Sequence, residues 1–326
     1  MKIETDYYSN FVEEAKEADI IFSDHEGYAL IRVMSLLKEK TGVKNVALIQ
    51  ASNLKSVNSL RMISKIRGLD YLSLLKYLRN KYTDSVFRKY SKDIDLVLGV
   101  SKASIDDFMG NGLVRGYTPW KVLKPSNAFD ESLLKYSTLN KEDYAVFFAR
   151  LIPEKGLFEI PKIWKKVREK VPNAKLVVLG KFFNDKFKRR FMSLIDDLGI
   201  EYRGFVSKEE LYKTVAKAKV IVYPTHFDAF PLATLESLAL KTPVVSYDIP
   251  SIRETFGSLK VVKFVREFDV ERMAEKTVEV LRAKDYSDWF DDEYEKFIDF
   301  HKSWKKVADA EYNALKEFLD SVKPSF

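Results

Sequence analysis

Residues 222–245 read VYPTHFDAFPLATLESLALKTPVV. The β-rich apolar run 220–223 stops at Pro224, which has no backbone donor and a fixed φ. A loop carrying Asp228 follows. An amphipathic helix then opens near Pro231, a residue suited to a first helical turn, and carries Glu236 eight residues after Asp228. The run 243–246 reads as the next strand. Strand, loop, helix N-terminus and strand together form one unit of a parallel α/β sheet. The helix N-terminus of such a unit offers unpaired N–H groups to an anion. Here two carboxylates flank that position.

The same alternation extends to both sides. In the second half, 144–149, 174–179, 202–205 and 220–223 are predicted strands. Helices are expected over 158–171 and 186–198, and after Ser207, an N-cap with Glu209 and Glu210 in the first turn. From residue 269 onward the chain is expected to be helical. In the first half, 20–23, 45–49 and 96–100 read as strands, and 28–40, 57–82 and 102–110 as helices, the last capped by Ser101. Residues 111–140, with Pro119 and Pro125, read as a connection. Strands alternating with helices imply parallel sheets covered on both faces. A chain of 326 residues favours two domains over one.

Composition narrows the chemistry. The chain has no cysteine, which excludes a disulfide framework, a thiolate zinc site and a cysteine nucleophile. That fits a reducing compartment. No apolar run is long enough for a membrane-spanning helix, and the acidic, polar start MKIETDYYSNFVEEAKEAD is not a secretory signal. With 12 glycines, Gly-rich phosphate loops are not expected. Asp93-Ile94-Asp95 forms a D-x-D, but it immediately precedes an apolar strand and reads as that strand's polar start. With three histidines and no cysteine, no metal site is predicted.

Three segments of the second half should meet where open α/β sheets bind ligands, at the carboxyl ends of adjacent strands. FFARLIPEKG (147–156) places Arg150 and Lys155 after a strand; LGKF surrounds Gly180; the third segment runs from Asp228 to Glu236. Two cations, a helix N-terminus and two acids suit a diphosphate joined to hydroxyl-rich groups. Arg and Lys neutralise phosphates, N–H groups near Leu232, Ala233 and Thr234 add donors, and a carboxylate accepts both hydroxyls of a ribose. His226 reads either as a residue lining this site or as an ordinary loop residue. His301, among charged neighbours, reads as solvated.

The order FFARLIPEKG, AKLVVLGKF, YRGFVSKEELYKTVAKAKVIVYPTHFDAFPLATLESLALKTPVV resembles the donor-binding domain of the retaining GT-B glycosyltransferases, the large family 4 group (glycosyl transferases group 1), over residues 140–260. SWKKVADAEYNALKEFL resembles its C-terminal helix. ADIIFSDHEGYALIRVMSLL, DLVLGVSKASIDDFM and VLKPSNAFD resemble the later part of its acceptor domain. The resemblance implies an α/β fold of GT-B architecture, two Rossmann-like parallel-sheet domains facing a central cleft. Residues 1–140 would form an acceptor-side domain and 141–326 the donor-binding domain, with a helix near 303–320 packing back toward the first.

The resemblance also implies roles. Arg150 and Lys155 match the pair that holds the donor diphosphate, Glu236 the acid that binds the ribose, and Asp228 the acid that contacts the transferred sugar. Gly180 belongs to the same donor side, and Phe230, Pro231, Leu232, Ala233 and Thr234 would present main-chain amides. The implied reaction is transfer from a UDP- or GDP-sugar to an acceptor hydroxyl of a glycan, lipid or protein, with retention and without a metal or other cofactor. Asp stands at 228 where the family usually has Glu, which withdraws the carboxylate by about 1.5 Å. The first domain reads as abbreviated, since few residues precede the strand at 20–23. The family's acceptor-side histidine is absent from NVALIQASN, leaving His25 as the nearest candidate.

Two other functions fit the same residues: a non-catalytic protein that binds a sugar nucleotide or glycan, and a GT-B sugar-nucleotide epimerase. Residues 44–92 hold eleven Lys/Arg against Asp70 and Asp84, a local net charge of +9 that exceeds the whole-chain +7. The basic region 55–92 therefore has two readings, a helix of the acceptor-side domain and an element lying on an anionic membrane surface. Nucleic acid is not an expected partner, because no recognised nucleic-acid module accompanies the charge. The expected location is cytoplasmic, and the second reading of the basic region would add a peripheral place at the membrane.

Overall fold

The computed structural model describes residues 11–50, 60–67, 71–110 and 114–322. The chain divides into two compact units, Met1–Asn127 with Lys305–Phe326, and Ala128–Trp304.

The first unit holds a parallel sheet of β1 (Ile20–Ser23), β2 (Lys44–Ile49), β3 (Leu96–Gly99) and β4 (Trp120–Val122), in that order. Its helices are α1 (Val12–Glu17), α2 (Tyr28–Thr41), α3 (Leu60–Arg67), α4 (Tyr71–Tyr90) and α5 (Lys102–Met109). Val46, Ala47, Ile49, Val97 and Leu98 are fully buried, as expected of strands covered on both faces. Ile31 and Met34 of α2, Phe87 of α4, and Ile105 and Phe108 of α5 complete the core, with Phe87 edge-on to Phe108 at 5.9 Å. Ser101 caps α5: its Oγ accepts from Ser104 N at 3.2 Å, and Ser104 Oγ accepts from Ser101 N.

Two expectations are corrected here. The described parts of the helical stretch expected at 57–82 are α3 and α4, and α4 runs on to Tyr90; residues 57–59 and 68–70 lie outside the described residues. Within the expected connection 111–140 lies β4, too short and too exposed at Trp120 to show a period. The D-x-D is structural. Asp93 accepts from the Ser35 hydroxyl, and Asp95 from Lys38 Nζ at 2.6 Å and Asn45 N at 2.8 Å, so the pair ties α2 and β2 to the start of β3.

The second unit holds β5 (Glu142–Phe148), β6 (Leu176–Leu179), β7 (Ile200–Gly204), β8 (Ala218–Tyr223), β9 (Val244–Tyr247) and β10 (Val262–Val265). All pairings are parallel, in the order β10-β9-β8-β5-β6-β7. Its helices are α6 (Ile160–Lys170), α7 (Asp185–Met192), α8 (Lys208–Lys217), α9 (Leu232–Ala239), α10 (Pro250–Phe256), α11 (Val270–Arg282) and α12 (Asp292–His301). Ser207 caps α8, accepting from Glu210 N at 3.2 Å. The helix expected over 186–198 ends at Met192, after which the chain turns through left-handed Asp197 (φ 59°) and Gly199 (φ 64°). Strand β10 and helix α10 were not expected: Lys263 interrupts the apolar run of β10, and the seven residues of α10 are too few to display a helical period. The helix α13 (Trp304–Val322) belongs, from Lys305 on, to the first unit, where Glu317 pairs with Lys121 at 2.5 Å.

Strand order reverses between β5 and β8: β6 and β7 follow β5 on one side, and β8 to β10 extend on the other. The loops leaving β5 and β8 therefore diverge, and that divergence opens a crevice at the carboxyl ends of the strands.

Candidate functional site

The loop after β5 carries Arg150 and then the 3-10 turn Pro153–Lys155. Gly156 ends the turn at φ 79°, and a Cβ there would sit 2.2 Å from the Pro224 carbonyl oxygen. Only glycine permits both the left-handed conformation and this approach of backbone to backbone. The contact brings the turn against the end of β8. Lys155 Nζ then reaches Asp228 Oδ2 at 2.5 Å and the Phe227 carbonyl at 3.0 Å. Both side chains are largely buried, at 10% and 14% exposure.

Asp228 is held from three sides. Tyr223 at the end of β8 donates its hydroxyl to Oδ2 at 2.6 Å, Lys155 supplies the cation, and the Ser251 hydroxyl of α10 donates to the Asp228 carbonyl. Burial first, and then the Asp228 charge, push the Tyr223 hydroxyl well above the usual phenol range; the positive charge of Arg150 opposes this. Arg150 therefore lies close enough to act on the same cluster, while its own side chain is exposed. Tyr223 and Ser251 were not singled out from the sequence. Tyr223 looked like one more apolar strand residue, and α10 was not expected.

Helix α9 starts four residues after Asp228. Pro231 is its N-cap, with no side-chain cap, and the Thr234 and Leu235 N–H groups turn back to the Pro231 carbonyl. Leu232 is exposed. The Thr234 Oγ1 is buried without a hydrogen-bond partner. Phe230 packs inward on Phe256 and His301, at 5.8 and 5.5 Å between ring centres.

Glu236, one turn into α9, faces α8. Tyr212, Lys208 and Asp130 are the groups that act on its carboxyl. Burial is the main force on its carboxyl and pushes it up to about 6, with Asp130 adding and Lys208 and Tyr212 opposing. Lys208 and Tyr212 belong to the helix that follows β7 and packs on β5 and β8. Gly180 follows β6 at φ 136°, its N–H bonded to the Gly204 carbonyl at 2.8 Å. A Cβ on Gly180 would meet the Ala149 carbonyl at 2.0 Å. It is a glycine because the loops after β5 and β6 touch there.

The three histidines differ. His25, in the first unit, accepts from Gly27 N on its Nδ1 at 2.8 Å, and its carbonyl accepts from the Ser23 hydroxyl, which makes it part of a local turn after β1. His301 is buried among Phe230, Phe297 and Phe300, which corrects its reading as a solvated residue. His226 is also buried, two residues before Asp228. Among the described residues no group of three or more His, Asp or Glu is arranged to hold a metal ion. No helix among them is long and apolar enough to cross a membrane.

The model for the family of glycosyl transferases group 1 matches residues 130–300. An uncharacterized glycosyltransferase of Methanocaldococcus jannaschii is 26% identical over 117 residues, 35% of this chain and 28% of that protein. The poly(glycerol-phosphate) alpha-glucosyltransferase of Bacillus subtilis strain 168 is 22% identical over 231 residues, 67% of this chain and 32% of that protein. The chain thus spans less than a third of the length of these curated relatives. Among solved structures, HepE of Anabaena in complex with UDP superposes with a TM-score of 0.67 at 16% identity, over 97% of this chain and 82% of that one. Its two parallel-sheet units are those of the GT-B fold. With more than half of its residues matched by the family model, the chain belongs to the glycosyl transferases group 1.

Proposed function

We propose that this chain transfers a sugar from a nucleoside diphosphate sugar, with UDP or GDP as the leaving group, to an acceptor hydroxyl with retention of anomeric configuration. The observation that carries the reading is the buried Lys155–Asp228 pair at the point where strand order reverses, with Arg150 close by and the uncapped start of α9 four residues on. Arg150 and Lys155 would hold the diphosphate, Asp228 the hydroxyls of the transferred sugar, and Glu236 the ribose. Gly180 and the amides of residues 230–234 would line the same ligand, and the partnerless Thr234 hydroxyl is a ready donor to a phosphate oxygen. HepE, complexed with UDP, offers a parallel for the donor class.

In that reaction the bond between the sugar C1 and the β-phosphate oxygen breaks. The acceptor oxygen bonds to C1 on the same face, and its proton passes to the leaving phosphate. The protein's task is electrostatic: Arg150 and Lys155 meet the charge that develops on the departing diphosphate. Lys155 must leave Asp228 to do so, and Asp228 is then released toward the sugar. Glu236→Ala and Arg150→Ala each remove a charge-assisted contact of about 1.5–3 kcal/mol. In a thermal-shift panel of UDP, GDP and their sugars, one nucleotide series should stabilise the wild type. At 100 times its Kd a ligand adds about 2.7 kcal/mol, and both variants should lose most of that shift. Silence of the wild type across the panel, or equal shifts in both variants, sinks this reading.

A second observation bears on the acceptor. Along α4, Leu74, Leu75, Leu78 and Tyr82 are exposed at 40, 43, 55 and 73%. Positions 74, 78 and 82 share one helix face, and Lys81, Arg88 and Lys89 are exposed on the same helix. We propose that this helix rests on an anionic membrane surface and that the acceptor is presented there. The protein should co-sediment with vesicles containing phosphatidylglycerol and not with pure phosphatidylcholine. Leu78→Glu with Tyr82→Glu should abolish this; equal partition of variant and wild type would contradict it.

A further inference from the structure

His226 is 3% exposed and has a carboxylate on each ring nitrogen. Nδ1 lies 2.8 Å from Glu267 Oε1, and Nε2 lies 3.0 Å from Glu159 Oε1. A neutral imidazole has one donor nitrogen and one acceptor, whereas carboxylates only accept. Both contacts are satisfied together when both nitrogens carry a proton, that is, by an imidazolium. Glu159 is further committed as an acceptor by the Tyr247 hydroxyl. The ring is stacked against Phe268, 4.4 Å between centres at 24°, and tilted against Tyr247 at 5.4 Å. Phe268 holds φ 68°, a left-handed conformation rare for a bulky residue. Backbone strain of this kind persists only where the surroundings enforce it.

The elements joined are those that build the candidate site. Glu159 is the N-cap residue of α6, in the loop after β5; Tyr247 ends β9; Glu267 and Phe268 follow β10. The His226 backbone N–H bonds to the Glu154 carbonyl at 2.9 Å, next to Lys155, and Asp228 is two residues on. We propose that His226 is a positioning residue: gripped as an imidazolium by Glu159 and Glu267, it locks the loops after β5, β8 and β10 together and so fixes Asp228 against Lys155. The consequence for donor binding rests on the function proposed above; the clamp itself does not.

The clamp depends on pH. Burial alone would push the imidazole down, but the hydrogen bonds and charges of Glu159 and Glu267 outweigh it and hold the ring up at about 8. The groups that face it are Glu159, Glu267 and the Tyr247 hydroxyl, with Asp269 acting on Tyr247. Because the folded value lies above the ordinary 6.5, the clamp's contribution is whole below pH 6.5 and is lost as pH rises through about 8.

The test is made on the full chain without any nucleotide. Nitrogen-15 spectra of the histidine rings, assigned with His226→Gln, should show both His226 nitrogens protonated at pH 7 and a midpoint near 8. In Glu267→Gln, a change at a side chain 27% exposed and therefore tolerable to the fold, that midpoint should fall by about one unit. Amide exchange of residues 225–228, corrected for the intrinsic rate, should quicken about tenfold across the midpoint, and at correspondingly lower pH in Glu267→Gln. Strand β6 should not change. A His226 that titrates at or below 6.5, or a loop whose exchange ignores both pH and Glu267→Gln, overturns the proposal. Either result leaves the nucleotide panel to be judged by itself, and a silent panel leaves the clamp to be judged by these readouts.

Discussion

Lys155→Met should destabilise the second unit by about 3 kcal/mol, because removing one partner of a buried ion pair strands the other. Asp228 is 14% exposed, and after the change its Oδ2 keeps only the Tyr223 hydroxyl. The reciprocal Asp228→Asn should cost less. Lys155 still has the Phe227 carbonyl at 3.0 Å, and its flexible stem lets the ammonium reach water. The double variant, Met with Asn, removes both charges and should recover at least about 1 kcal/mol of the sum of the singles. Nucleotide binding should not recover, since the diphosphate has lost its cation in either case. Denaturant midpoints of the four proteins measure the coupling. A Lys155→Met protein within about 0.5 kcal/mol of wild type would show that the pair contributes little.

Glu236→Gln should do the opposite to stability. Burial pushes the Glu236 carboxyl up to about 6 from an ordinary 4.5, so folding favours its protonated form. That preference is fully present below pH 4.5 and is lost as pH rises through about 6; above this the buried charge costs the fold about 2 kcal/mol. Glutamine keeps the shape of the side chain and carries no charge. The variant should therefore be about 1–2 kcal/mol more stable than wild type at pH 7.5 and nearly equal to it at pH 4. Affinity for the nucleotide should fall about tenfold or more, the loss of one charge-assisted contact. A site that pays in stability for a charged side chain is the expected pattern for a binding residue. A variant less stable at pH 7.5, or one that binds UDP or GDP unchanged, would reduce Glu236 to an ordinary helix residue.

Strands β6, β8 and β9 were legible because each carries an apolar run closed by Gly180, Pro224 or Asp248. The order of the strands, and with it the divergence of the loops after β5 and β8, was not read from the sequence. The partnership of Lys155 with Asp228 was not legible. The two residues are 73 apart, and their meeting depends on Gly156 lying against Pro224, a contact with no local spacing to betray it. The partners of His226 are 67 and 41 residues away, and Glu267 follows β10, a strand that was not expected. His301 is a different case. Phe297 stands one helical turn before it, so the period that buries both was present, masked by Asp299 and Lys302 on either side. Gly180 was legible as a loop residue, but its reason, the Ala149 carbonyl, lies on another strand's loop.

Calorimetric titration of wild type and Lys155→Met with UDP and with GDP, at pH 7 in moderate salt, tests the site most directly. One nucleotide should bind the wild type with one-site stoichiometry, and Lys155→Met should weaken it by about tenfold or more while remaining folded by circular dichroism. Failure of both nucleotides to bind the wild type, or equal affinity in the folded variant, would contradict the assignment of the Lys155–Asp228 crevice as the donor diphosphate site.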